Sequence, residues 1–189
     1  AKNVISIEPG PTHKKLVENI HLNNLNGKIK TYKIAFGLKK TLMRSYEDIN
    51  NLGNSLLVNN KSELNMKHTE AKFDNKFIEV EVDKLDYFYK KYKFGKIDLI
   101  KVDVEGMEFD VLKGGEQFIT ENYPIIVAET FKNMNLFRNN KSTDHLFKYL
   151  YTHGYRSFEW SKYKFTEFKY PDLKYQDTFF IHQDYYFKI

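Results

Sequence analysis

The sequence predicts an α/β fold built on a mostly parallel central sheet, and three observations carry that expectation. The first forty or so residues read strand, helix, strand. Ile97–Val104 and Ile125–Glu129 are near-continuously apolar, as strands covered on both faces must be. Finally, predicted strands end in acids at Glu8, at Asp103 with Glu105, and at Glu129. In parallel sheets ligands collect at the carboxyl ends of strands, so three acids at one such edge mark a site.

The elements follow in order. Val4-Ile5-Ser6-Ile7 reads as a buried strand, closed by the turn Glu8-Pro9-Gly10-Pro11. Thr12 is placed to cap a helix whose stripe is Leu16, Val17, Ile20 and Leu22. A second strand runs from Ile29 to Phe36 and stops at Gly37. The segment 38–75 is polar and weakly periodic, an excursion with short strands, one near Ser55–Val58. Phe77, Val80 and Val82 give a strand, and Leu85, Phe88, Tyr89 and Tyr92 a helix with Asp86 as its N-cap. After the strand Ile97–Val104 comes a helix from about Met107 to Ile119, with Gly114-Gly115 in a close helix contact. Pro124 opens the strand Ile125–Glu129; His145–Tyr151 is helical; Gly154 turns into Tyr155–Trp160; Thr178–Ile181 closes the sheet. No repeat or low-complexity linker interrupts the chain, so 1–189 reads as a single domain with 38–75 as its variable part.

Composition narrows the classes. Hydrophobic residues make up 41%, with 16 Phe and 14 Tyr, which excludes a disordered chain. There is no bilayer-length apolar run. The absence of cysteine excludes disulfides, thiolate metal sites and a cysteine nucleophile, and fits a reducing, cytoplasmic setting. Six His are scattered without ligand spacing; His145 is the one placed to line a cleft. A net charge of +5 permits an anionic partner, but the lysines form no stripe and no RNA-binding motif appears. A solvated basic surface is therefore favoured over a nucleic-acid site.

The chemistry concentrates in Lys96–Phe118, "KIDLIKVDVEGMEFDVLKGGEQF". Asp103, Glu105 or Glu129 is placed to act as a general base, or the three to hold a hard divalent cation. The metal-free base is preferred. Lys101 either takes part or only neutralises neighbouring acids. Glu105 and Glu108 also suit the start of a helix, where the macrodipole favours acids. Gly106 suits the tight turn between strand and helix. The aromatic residues from Tyr155 to Phe187 serve either as core and edge-strand material or as a platform for a sugar.

Four stretches, "VISIEPGPTHKKLVENIHLNN", "VEVDKLDYF", "IDLIKVDVEGMEFDVLKGG" and "PIIVAE", together resemble the FkbM-type methyltransferases. The most specific is the Lys-x-Asp-x-Glu-Gly-x-Glu run at Lys101–Glu108. The resemblance implies a Rossmann-like class I methyltransferase sheet, mostly parallel with an antiparallel C-terminal strand. It implies S-adenosylmethionine as cofactor and O-methylation of a sugar, glycan or natural product. Glu8 would hold the ribose hydroxyls, Ala35 and Phe36 would lie along the adenine, and Asp103 would face the methionine end or the acceptor. Catalysis would fall to Asp103, Glu105, Glu129 and Lys101.

The family's opening strand and Gly-rich donor loop have no counterpart among the nine glycines, so the sheet is expected to be N-terminally truncated. The exposed edge would favour a homodimer. The rival reading is a degenerate, non-catalytic methyltransferase fold that binds glycans or proteins.

Overall fold

The computed structural model describes residues 1–47, 55–59, 76–130, 143–171 and 176–186. The chain divides into two compact units, Ala1–Asp83 and Lys84–Ile189.

In the first unit β1 (Val4–Ile7) pairs in parallel with β2 (Ile29–Tyr32), and α1 (Thr12–Leu22) connects them. Pro11, with its φ preset for a helix, occupies the N-cap position one residue earlier than expected. The strand expected over Ile29–Phe36 is two strands. β2 belongs to β1, whereas β3 (Ala35–Phe36) pairs in parallel with Val82 and Asp83 of β6 (Ile78–Asp83). The break between them lets the chain change sheets. β4 (Thr41–Glu47) and β5 (Ser55–Val58) complete a four-stranded sheet in the order β3-β6-β4-β5. Buried Tyr46, Leu56 and Val58 form its core. These strands occupy much of the polar excursion, whose remaining residues, 48–54 and 60–75, lie outside the described residues.

The second unit contains α2 (Leu85–Tyr92), β7 (Leu99–Val102), α3 (Glu108–Lys113), α4 (Glu116–Asn122), β8 (Ile125–Thr130) and α5 (Thr143–Thr152). It continues with β9 (Tyr155–Ser161), β10 (Lys164–Phe168), β11 (Gln176–His182) and α6 (Gln183–Tyr186). Its five-stranded sheet has the order β10-β9-β11-β8-β7. Ile126, Ala128, Thr178 and Phe180 fill the buried face, and Phe147 of α5 packs on Phe180 with ring centroids 4.9 Å apart.

The expectation of one mostly parallel, Rossmann-like class I sheet is corrected by this topology. Among the described residues there are three sheets, and their ladders are parallel only at β1–β2, β3–β6 and β7–β8. The β4–β5, β4–β6, β8–β11, β9–β11 and β9–β10 ladders are antiparallel. The apolar runs misled for a physical reason. β8 is largely buried, but β7 is an edge strand with Leu99 and Lys101 exposed and only Val102 fully buried. An edge strand needs one covered face, which an apolar run of four residues does not distinguish from two.

The expected helix 107–119 is interrupted at Gly114-Gly115, giving α3 and α4. Asp86 caps the second of these rather than its own helix: Phe118 N–H and Gln117 N–H donate to its carboxylate at 2.7 and 3.2 Å. Gly115 permits α2 and α4 to approach. A Cβ there would sit 2.6 Å from Cδ2 and 3.1 Å from Cβ of Leu85, itself buried. Gly115→Ala is accordingly expected to cost about 1–3 kcal/mol of stability by forcing backbone shifts, read as a lowered urea midpoint at unchanged slope. An unchanged midpoint would show that Leu85 yields freely.

Candidate active site

The parallel pair β7–β8 brings Lys101, Asp103 and Glu129 to one sheet edge. Lys101 pairs with Val127, two residues before Glu129, and Asp103 immediately follows β7. β11 enters from the opposite direction and sets Asp177 directly across from Glu129. Lys101 Nζ then lies 3.3 Å from Asp103 Oδ2 and 3.5 Å from Asp177 Oδ2, a cation bridging two carboxylates. All three side chains are about half exposed. Burial works against the Lys101 ammonium, but Asp103 and Asp177 outweigh it and hold Lys101 above its ordinary value of 10.5.

A raised folded-state value means the bridge's contribution is present below the ordinary lysine value and is lost as pH rises through the folded one. NMR titration of the Lys101 side chain should give a midpoint above 10.5. The midpoint should fall back in Asp177→Asn. An unmoved midpoint would mean Asp177 does not contribute.

Asp177 is the site residue that the sequence reading missed. Its signal was present, because an acid two residues before Phe179 continues that strand's alternation. β11 begins at Gln176, two residues before the expected start at Thr178.

After β7 the chain turns sharply. Glu105 has φ 52° and Gly106 φ 90°. The left-handed conformation is uncommon for a residue with a Cβ, so the turn is imposed by its surroundings. The constraint is visible in Glu108, which is 1% exposed. Its Oε1 accepts from Val104 N–H at 3.1 Å and Gly106 N–H at 3.2 Å. Glu108 is thus an internal clasp for the loop that carries Asp103 and Glu105, as well as a first-turn acid of α3.

The expected cofactor residues Glu8, Ala35 and Phe36 lie in the first unit, on sheets separate from β7 and β8. Glu8 follows β1 directly and is half buried; its Oε1 accepts from Gly10 N–H at 2.7 Å. A Cβ at Gly10 would come within 2.9 Å of that oxygen, so the glycine lets the backbone close on the carboxylate. Ala35 is buried and Phe36 half buried on β3. Ser55 begins β5 opposite Glu47, and His145 is exposed on α5 with its ring 6.0 Å from that of Phe109. Among the described residues no group of three or more His, Asp or Glu is arranged to hold a metal ion. Nor does any described helix have the length and apolarity to cross a membrane.

The chain belongs to the methyltransferase FkbM domain family, whose model matches residues 1–157. The matched span contains Glu8, the Lys101–Glu108 run and Glu129; Asp177 lies beyond it. The fold resembles the crystal structure of methyltransferase FkbM from Methylobacillus flagellatus KT, with a TM-score of 0.55 at 13% identity over 96% of this chain. The chain spans about a third of that protein's length, 36%. No curated protein matches it.

Proposed function

We propose that the protein is an S-adenosylmethionine-dependent methyltransferase that methylates a hydroxyl of a sugar, glycan or natural product. The observation that carries this reading is the family match over residues 1–157, with the Lys-x-Asp-x-Glu-Gly-x-Glu run inside it. The donor, when bound, supplies an electrophilic methyl group. Glu8 fits a role in holding it, because a carboxylate at a strand's carboxyl end accepts from ribose hydroxyls. The Gly10 amide fixes the orientation of that carboxylate in advance. Ala35 and Phe36 offer backbone and apolar contact for an adenine.

In the second unit Asp103 is assigned the proton taken from the acceptor hydroxyl, with Lys101 orienting its carboxylate. Glu129 lies at the same edge as a further acceptor of hydrogen bonds. Glu105 stands beside them on the turn held by Glu108.

Calorimetric titration of the purified protein with S-adenosylhomocysteine tests the reading. Micromolar binding that Glu8→Ala weakens at least tenfold is expected. No heat from a folded sample would remove donor binding from this chain and leave the non-catalytic binding module.

A further inference from the structure

The outer face of the five-stranded sheet carries a pattern that methyl transfer by Lys101 and Asp103 does not use. By strand register Glu167, Phe158, Phe179, Val127 and Lys101 lie side by side across all five strands. In the adjacent row Phe165 faces Trp160, and Asp177 faces Glu129. The rings form a continuous surface: Trp160 and Phe165 centroids are 4.7 Å apart, and Phe165 and Phe179 are 5.1 Å apart. Trp160 is nevertheless 50% exposed and Phe165 40%. Phe158 and Val127 in the first row are buried, so it is the adjacent row that sets open rings, Trp160 and Phe165, beside the carboxylates of Asp177 and Glu129.

The hairpin that presents these rings is held in a costly form. Its tip residues, Lys162 and Tyr163, have φ of 50° and 63°, a two-residue turn for which Asn-Gly is the usual choice. Tyr163 at that tip is 95% exposed. Side-chain-bearing residues in the left-handed region are strained, and such strain clusters at ligand clamps.

The chemistry of the strip selects its occupant. A protein partner pressed on this face would strip water from Asp103, Asp177 and Glu129 and leave excess negative charge buried, which is costly. A sugar presents an apolar C–H face and an edge of hydroxyl donors, matching flat rings beside carboxylates. We propose that this strip is the acceptor subsite: the ring of a carbohydrate stacks on Trp160 and Phe165, and its hydroxyls donate to Asp177. The subsite rests on the methyl-transfer reading for its purpose, though its binding can be measured without it.

Trp160 is the only tryptophan in the chain, so tryptophan emission reports this strip alone. The experiment is a glycan-array screen of the protein, followed by emission titration with the best-bound oligosaccharide and calorimetry with S-adenosylhomocysteine. Saturable change in the parent's Trp160 emission is expected, with affinity for the same oligosaccharide, read by calorimetry, lowered at least tenfold in Trp160→Ala and in Asp177→Asn. Donor affinity should be unchanged in both variants. An array with no bound glycan, or a bound glycan that leaves the emission and both variants' affinities unaffected, overturns the proposal. So does a fall from dimer to monomer mass in Trp160→Ala by light scattering, which would mark the strip as an interface between copies. Retained sugar binding with no donor binding would instead sink the methyl-transfer reading and leave the strip standing.

Discussion

Replacing Glu108 with alanine is expected to lower the unfolding free energy by roughly 2–4 kcal/mol, the largest loss of stability from any single change at the site. The reason is local. Glu108 is 1% exposed, and its Oε1 satisfies both the Val104 and Gly106 amides. Alanine leaves those amides without their acceptor and opens a void where the side chain stood. It also releases a turn in which Glu105 and Gly106 have φ of 52° and 90°. Glu108→Gln keeps an acceptor oxygen of the same reach and should cost markedly less. Urea denaturation of the two variants separates the outcomes, and equal midpoints for alanine and parent would show that the carboxylate is not what holds the loop.

The largest effect on activity is expected at Asp103. If Asp103 takes the hydroxyl proton, Asp103→Asn removes the base while keeping the side chain's shape. The turnover rate should then fall by about 10²–10⁴-fold with donor affinity little changed. Rates would be measured with the purified protein and an acceptor identified by screening. A rate within a few-fold of the parent would take Asp103 out of the proton transfer and shift attention to Glu129, which shares its sheet edge through the β7–β8 ladder. A loss confined to KM would instead give Asp103 a binding role.

Much of this was legible in the sequence, for reasons that differ by element. α2 and α5 were visible because their apolar residues recur at helical spacing, and β8 because the run Ile125–Ala128 after Pro124 is short, apolar and bounded. Asp103 was singled out as an acid at a strand's end and Lys101 by the Lys-x-Asp-x-Glu-Gly-x-Glu run; the structure sets the two 3.3 Å apart on one face of the chain. Glu108 could be read as a first-turn helix acid, but not as a clasp, because its hydrogen bonds run backward to amides of a turn whose conformation no local pattern announces. Asp86 illustrates the same limit. It suits an N-cap by type, yet the amides it meets belong to α4, 31 and 32 residues further on.

Strand partners were the least legible feature. An apolar run states that a strand is covered, not by which neighbour or in which direction. The β9–β10 hairpin turns on Lys162 and Tyr163, without the Asn-Gly signal that marks such turns in a sequence. β7 carries Leu99 exposed at the sheet edge, though its composition suits a central strand. Local pattern therefore located most helices and strands and the acids that end them, and the quoted motifs pointed to the family, while β10 and the breaks between β2 and β3 and between α3 and α4 escaped it. The division into three sheets, one parallel and two mixed, the placing of Asp177 against Lys101 and the row of open rings beside them depend on tertiary structure. Those features arise from pairing between residues far apart in the chain, where the free energy of burial and cross-strand contact decides among registers that look alike to the local sequence.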